Sequence, residues 1–428
     1  MLQKNGIIFS RSDIMNGKRA FELLKKIGFE RMSGTKEEEK AAQIISEEIE
    51  KMGGKAKIEE FEVNSQTIHK AKLEVLEPSY KEYNVIGYGN AGSTDLDGLV
   101  GDFYYMSTDS IVDKKLANGK IVLINGRLTM NVYKRIVEAG AIGFISFCGD
   151  LKDEYDDIDL AYPELREPLK EVKVLPGVSM NVHDAVELVL SEPKKVRLTL
   201  VQDEYKIPSH NVISKIKAAS NTDETIVLTA HYDSVRYSTG VYDNGAGSVI
   251  NLEAYRYFLE NRPNKNLIFI WCGSEERGLL GSKAYVRDHE EELKNIEIVI
   301  NCDVAGPVLG SDEIFVTAND EILSYCKALG SEIGFPANYH LDVYSSDGIP
   351  FTDKGIPSIS ITRFGTSGTA YIHNRHDIIK YLDYKNLEKT GNYLIKLVEK
   401  IDKSQFVPFN LTVSDQIKEK VDKYLFKK

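Results

Sequence analysis

The sequence predicts an α/β protein: a mostly parallel, mixed sheet flanked by helices, interrupted by a smaller β-rich insertion. Three observations predict it. From Ser209 onward, short and nearly all-apolar runs alternate with amphipathic segments, the pattern of strands covered on both faces by crossover helices. Between about Lys72 and Val201, short strand-like runs dominate instead. At 428 residues the chain also exceeds one average domain.

Residues 13 to 53 read as helical. Thr35 and Glu38 form a capping-box pattern, and Ala41, Ala42, Ile45, Ile49 and Met52 recur at helical spacing. Gly53 and Gly54 stop the helix, and Lys55 to Val63 alternates like a strand. In the next block, strands are predicted at Leu73 to Leu76, Leu99 to Tyr105, Ile121 to Ile124, Ile142 to Phe147 and Val196 to Val201. Helices are predicted near Val132 to Ala139 and His183 to Leu190. The acidic run Asp153 to Asp159 reads as a solvated loop. Because the strands resuming after this block are needed to complete a sheet, residues 72–201 read as an inserted domain, and residues 1–71 with 202–428 as one discontinuous domain.

The second part repeats strand and helix. Strands are predicted at Ile226 to Thr229, Leu267 to Trp271, Ile296 to Ile300 and Ser358 to Ile361. Helices are predicted at Ala246 to Leu259, Leu280 to Leu293, Lys385 to Ile401 and Ser414 to Phe426. The sequence has no internal repeat and no low-complexity tract.

Composition narrows the function classes. A formal net charge of −11 leaves no basic surplus to neutralise phosphates, which argues against a nucleic-acid partner. Met1 to Arg19 has no apolar run long enough for a signal peptide or a membrane anchor. Cys148, Cys272, Cys302 and Cys326 lie far apart, so buried thiols in a reducing cytoplasm fit better than a disulfide framework. The expected location is cytoplasmic, with no membrane partner.

The chemistry follows the apolar strands. His231-Tyr232-Asp233-Ser234 comes after the first, Glu275-Glu276 after the next, Asp303 after the third and His373 beyond the last. These side chains therefore gather at the carboxyl ends of strands, where open α/β sheets bind ligands. Two histidines with several carboxylates and no cysteine suit a hydrolytic divalent-metal site such as zinc, cobalt or manganese. Two metals about 3.5–4 Å apart need a bridging carboxylate. Asp243 is a candidate for it, in the Gly-rich turn Tyr242-Asp243-Asn244-Gly245-Ala246-Gly247 before a helix. Glu275 and Glu276 are adjacent and diverge, so one can ligate while the other acts as general base.

These motifs, with Glu275-Glu276-Arg277-Gly278-Leu279-Leu280-Gly281-Ser282, Asn301-Cys302-Asp303 and His373-Asn374-Arg375-His376-Asp377, resemble the di-zinc aminopeptidase family that also contains glutamate carboxypeptidases and glutaminyl cyclases. The resemblance implies a zinc-exopeptidase fold and two divalent metal ions, zinc first. It implies that His231 and Asp303 hold one metal, Glu276 and His373 the other, and that Asp243 bridges. It makes Glu275 the general base and Asp233 the residue that orients His231. The family's ligand histidine stands four residues before an aspartate, which selects His373 over His376. The insertion resembles a protease-associated domain through Asn118-Gly119-Lys120-Ile121-Val122-Leu123-Ile124 and Ala139-Gly140-Ala141-Ile142-Gly143. In Ser346-Asp347-Gly348-Ile349-Pro350-Phe351, a glycine stands where the family often has histidine.

The expected activity is removal of N-terminal residues from peptide substrates. A carboxypeptidase or dipeptidase on the same site remains an alternative, as do a glutaminyl-cyclase-like transferase and a non-enzymatic binding protein. Homo-oligomerisation is compatible with the sequence. Tyr371 is a candidate donor to the tetrahedral intermediate, while Arg363 reads first as a salt-bridge or surface residue. His69, His183, His210, His289 and His340 read as structural.

Overall fold

The computed structural model describes residues 14–126, 128–160 and 163–427. Asp13, where the first helical reading begins, and the start of the N-terminal stretch lie outside them. The chain divides into two compact units, residues 1–61 with 208–428, and residues 62–207.

The first unit begins with α1 (Gly17–Ile27) and α2 (Lys36–Lys51), so the single predicted helix is two. The break at 28–35 has local causes. Asn16 caps the first helix and Gly28 ends it, and the Thr35 side chain accepts from Glu38 N to start the second. The reciprocal half of the capping box differs: the Glu38 carboxylate takes the Gly34 amide at 2.8 Å. Its other oxygen turns inward. β1 (Ala56–Glu77) then carries the chain into the second unit.

In the second unit, β2 (Lys81–Tyr83), β3 (Val85–Gly87) and β4 (Leu99–Met106) precede α3 (Ile111–Ala117). After them β5 (Ile121–Ile124), α4 (Met130–Glu138), β6 (Gly143–Cys148), the short α5 (Glu167–Lys170), β7 (Gly177–Asn181) and α6 (Val182–Leu190) follow. β4, β5, β6 and β7 pair in parallel, and β3 closes antiparallel on β7. A core of its own contains Ile121 to Ile124, Phe144, Ile145, Val178, Met180 and Leu188. The acidic run holds only a short 3₁₀ turn at Tyr155–Asp157 and is exposed there. β8 (Lys195–Ile216) returns the chain to the first unit.

There β9 (Thr225–His231) leads to α7 (Ala246–Glu260), β10 (Asn266–Cys272), α8 (Leu280–Asp288), the short α9 (Glu290–Leu293) and β11 (Ile296–Cys302). β12 (Gly310–Thr317), α10 (Asp320–Ile333), β13 (Ala337–Leu341), α11 (Ile349–Asp353), β14 (Ser358–Gly365), α12 (Tyr384–Asp402) and α13 (Asp415–Tyr424) complete the unit. Its strands run in the order β13-β12-β14-β11-β9-β10-β8. The four pairings β12/β13, β11/β14, β9/β11 and β9/β10 are parallel; β12/β14 and β8/β10 are antiparallel. The sheet is therefore mixed, and β12, α10 and β13 form an edge that the apolar periodicity does not mark.

The inner strands are buried on both faces, which explains their unbroken apolar runs. Ile226 and Leu228 enter the larger core, while Val227 between them enters the smaller one. Ile298 and Ile300 alternate with Val299 in the same way. A one-residue slip would exchange the two sets, so the register is fixed. It sets His231 opposite Cys272, Asn301 opposite Thr229 and Cys302 opposite Ile361. The carboxyl ends of β9, β10 and β11 thus fall within a residue of one another, and β14 runs on from Ile361 to Gly365.

The four cysteines are free, three buried and Cys148 half-buried. Among the described residues no helix is long and apolar enough to cross a membrane.

One packing contact of α12 makes a pH-dependent prediction. The Glu399 carboxylate, partly buried, is held down at about 2 by Lys396, Lys403 and the Tyr257 hydroxyl against the cost of burial. A depressed carboxyl contributes stability above its unfolded value that is lost as pH falls towards the folded one. Glu399→Gln should lower the melting temperature at pH 7 by about 2–4 °C. The difference from wild type should shrink steadily between pH 4.5 and 2, as read by differential scanning fluorimetry.

Candidate metal centre

Six of the side chains singled out in the sequence converge in the first unit. His231 is the last residue of β9, and Asp303 follows the last residue of β11. Glu275 and Glu276 lie in the turn between β10 and α8, and Asp243 lies just before α7. His373 comes from the segment after β14. His231, Asp243 and Asp303 form one group of potential ligands, and Asp243, Glu276 and His373 form a second. In each group the donor atoms lie within 4.8 Å of one another.

Asp243 belongs to both groups, one oxygen to each. Its Oδ1 is 3.2 Å from His231 Nε2, and its Oδ2 is 3.0 Å from His373 Nε2. His231 Nε2 is also 3.3 Å from Asp303 Oδ1, and His373 Nε2 is 3.0 Å from Glu276 Oε2. Donors held at about 2.0–2.2 Å from a tetrahedral zinc stand roughly 3.3–3.6 Å apart. The observed edges are close to that spacing. Asp303 Oδ1 and Glu276 Oε1 are buried without a hydrogen-bond partner, which a cation would satisfy. The donor set therefore fits divalent metal.

Glu275 belongs to neither group, with Oε2 3.9 Å from His231 Nε2. Asp233 is fully buried, and its Oδ1 faces His231 Nδ1 at 3.4 Å. Its two oxygens also accept the Glu275 and Glu276 amides, at 3.0 and 3.3 Å. One carboxylate thereby touches a histidine and the backbone of both glutamates.

Crowded acids set the electrostatics. Burial, offset in part by His231, pushes Glu275 well above the usual carboxylate range. Burial and the charge of Asp243 raise Glu276 to about 6, and burial raises Asp303. Asp243 goes the other way: contacts with both imidazoles outweigh its burial. The imidazoles answer in kind. Burial opposes their charge, yet Glu276 and Asp243 raise His373 to about 11, and the carboxylates around His231 hold it well above its ordinary value.

Several residues support this geometry through backbone contacts that the sequence motifs containing them do not reveal. Asp377, buried and raised to about 7 mainly by burial, accepts the Tyr242 and Asp243 amides at 2.8 and 3.1 Å. The Asn244 side chain donates to Cys302 O at 2.8 Å and accepts from Gly247 N and Val304 N. It ties the Asp243 turn to the backbone on both sides of Asp303. A Cβ at Gly247 would stand 2.3 Å from Cys302 O, so only glycine permits that approach. The peptide bond between Asp243 and Asn244 is cis. Ser274, Val304 and His373 have positive φ, at 56°, 45° and 59°. Such conformations cost of order 1–3 kcal/mol each and gather at functional sites.

Glu38 is the other unforeseen participant. Its inward oxygen accepts from Ser209 Oγ, His210 N and the Tyr232 hydroxyl. Ser209 Oγ in turn accepts from Ser274 Oγ at 2.7 Å, and Ser274 Oγ also contacts Ser33 Oγ. The start of α2 is thus linked to the turn that presents Glu275.

Other candidates stand apart. His376 is in neither ligand group, and its ring lies 5.5 Å from that of Tyr371. Tyr371 is exposed, with its hydroxyl on Gly368 O at 3.4 Å. Tyr344, which the sequence reading passed over, lies closer: burial and then Asp303, Asp243 and Glu275 raise its hydroxyl well above the usual range. Asp347 is buried, accepts from Ser282 Oγ at 2.7 Å and is raised by burial to about 6. Arg363 is paired with Asp312 at 2.9 Å. His69, His210, His289 and His340 each face a carboxylate, Asp203, Glu38, Glu59 and Glu313 respectively. His183 contacts Asp153 O.

Comparison with known proteins gives a consistent result. Residues 211–398 match the model of peptidase family M28. Aminopeptidase YwaD of Bacillus subtilis (strain 168) is 28% identical over 408 residues, which cover 91% of this chain and 85% of that one. Carboxypeptidase Q of Bos taurus is 22% identical over 404 residues, covering 90% and 84%. Among solved structures, a zinc aminopeptidase from Bacillus subtilis superposes with a TM-score of 0.76 at 26% identity, over 95% of this chain and all of that one. By its sequence, its mixed α/β fold and these matches together, the chain is similar to peptidase family M28 over residues 211–398 and is a metallo-exopeptidase.

Proposed function

We propose that the protein is a two-zinc aminopeptidase that removes N-terminal residues from peptides. The observation that carries the reading is the shared Asp243, one oxygen of which faces each ligand group. His231 and Asp303 would hold one zinc, Glu276 and His373 the other, with Asp243 between them. Zinc bound there supplies a Lewis acid for the scissile carbonyl and lowers the pKa of a water. Glu275 takes the proton from the attacking water and delivers it to the leaving amine. Its raised affinity for a proton suits that duty. Asp233 acts from behind, holding His231 and the amides of both glutamates.

We read residues 72–201 as an inserted protease-associated domain on the motifs at Asn118 to Ile124 and Ala139 to Gly143. Four free thiols fit a reducing compartment, and on that ground we place the protein in the cytoplasm.

Zinc-loaded protein should cleave dipeptide substrates with a free amino terminus and leave N-blocked ones intact. Glu275→Gln should lower the rate by about 10²–10⁴-fold while zinc content by elemental analysis is unchanged. Cleavage of N-blocked substrates bearing a free carboxylate would instead make it a carboxypeptidase.

Asp243→Ala should lose zinc from both positions, since each group loses a donor. Elemental analysis after gel filtration should find well under one zinc per chain, against two in the wild type. Retention of one tightly held zinc would show that Asp243 is not shared.

The metal-free protein should also lose stability as pH rises. Glu276 near 6, Asp377 near 7 and His373 near 11 are all raised on folding. Each therefore contributes stability at low pH that disappears as pH climbs through its folded value. With chelator, the melting temperature should fall between pH 5 and pH 8; with saturating zinc the fall should be smaller, so that zinc stabilises most at pH 8. Equal zinc stabilisation at both pH values would contradict this account.

A further inference from the structure

Arg31 lies in the break between α1 and α2, outside the residues that match the family model. It is fully buried, yet its acceptors are carbonyls rather than carboxylates. Two belong to its own turn: Nη1 donates to Ile27 O and Phe29 O, both at 3.0 Å. The other three lie more than 200 residues ahead in the chain. Nε donates to Tyr232 O, Nη1 to Thr239 O at 2.5 Å and Nη2 to Gly240 O at 2.6 Å. Tyr232 sits between His231 and Asp233, while Thr239 and Gly240 lead into Val241-Tyr242-Asp243. The backbone of Arg31 joins in, with its amide on Ser234 Oγ at 3.0 Å and its carbonyl accepting Ser234 N at 3.3 Å.

The cradle is shaped for the guanidinium. Gly240 has a φ of +55°, and a Cβ there would stand 3.0 Å from Arg31 Nη2; one at Gly245 would stand 3.3 Å from it. Five N–H donors in a planar fork can serve carbonyls on two loops at once, whereas a lysine offers three donors from a single nitrogen.

We propose that Arg31 is a positioning residue for the metal centre, fixing the loop that follows His231 relative to the turn that carries Asp243. The inference rests on the two-zinc reading above. Charge alone would act in the opposite direction. A buried cation near Asp233, Asp243 and Glu276 competes with zinc for those carboxylates, so a neutral side chain would hold zinc more tightly if geometry were irrelevant. Positioning predicts looser zinc.

The test compares full-length wild type with Arg31→Lys, Arg31→Gln and Arg31→Ala. The readouts are circular dichroism, zinc release to a chromogenic chelator, and kcat and KM on a free-amine dipeptide substrate. Wild type must first bind two zincs and cleave that substrate; failure there would sink the parent reading and leave Arg31 out of account. Folded Arg31→Lys and Arg31→Gln should release zinc at least about tenfold faster, with kcat down about 100-fold and KM within about threefold. Added guanidinium ion should restore part of the kcat of Arg31→Ala. Where the alanine variant does not fold, the lysine and glutamine variants decide. Variants that melt earlier but keep wild-type zinc release and kcat would reduce Arg31 to a structural role, and slower zinc release would put charge above geometry. Either result overturns the proposal.

Discussion

One carboxylate facing two imidazoles sets the terms for the whole active region. Asp243 can meet His231 with one oxygen and His373 with the other only if the end of β9, the turn before α7 and the segment after β14 are brought within a few ångströms. That convergence also gathers Asp233, Glu275, Glu276, Asp303, Asp347 and Asp377 into the same buried neighbourhood. Like charges so placed cannot all stay ionised without compensating cations. The protein's own cations set against them include two imidazoles and Arg31, and burial with like charge raises the proton affinity of several of the carboxyls. Divalent metal can take the place of those protons, so metal affinity and acidity are one equilibrium seen from two sides.

Holding such a cluster is a task for backbone contacts rather than for more charge. Asp377 takes two amides, Asn244 joins the Asp243 turn to the residues around Asp303, and Asp233 takes the amides of both glutamates. Each fixes a main-chain segment whose side chain then has little freedom left. Positive φ at Ser274, Val304 and His373 is the cost of aiming those segments inward. The aligned ends of β9, β10 and β11 supply the platform, because a parallel register buried on both faces cannot slip.

This division explains what the sequence made legible. His231, Glu276 and Asp303 stand at or just after the ends of apolar strands, and Asp243 and His373 lie in motifs further on, so local patterns locate them without any knowledge of the fold. The core strands are marked in the same way, by runs such as Ile226 to Leu228 that feed both cores. Arg31 was not legible, and neither were the site contacts of Glu38, Asp377 and Asn244, although the capping box and the motifs contain those three. All four act on carbonyls and amides 58 to 209 residues away, and a contact with main chain imposes no residue type at its far end. The break after Ile27 was hidden because the apolar spacing of α1 and α2 is helical on both sides of Gly28. The β12-α10-β13 edge escaped for a different reason: Ile314 and Val316 alternate with half-buried or polar neighbours, too short a pattern to stand out.

The same electrostatics bear on which end of a peptide the site prefers. A cluster dominated by carboxylates attracts an approaching ammonium and repels an approaching carboxylate, unless a free cation waits at the correct distance. Arg31 is enclosed by carbonyls, and Arg363 is engaged by Asp312 and by Pro307 O. Neither can turn to a substrate carboxylate without abandoning buried partners, which would be left unsatisfied at a cost of about 1–3 kcal/mol each. A peptide's amino terminus meets no such obstacle. With Arg31 and Arg363 committed in this way, the acidic field of the site favours an approaching ammonium, and that field, more than the metal chemistry shared by both kinds of exopeptidase, supports the proposed aminopeptidase reading over the carboxypeptidase one.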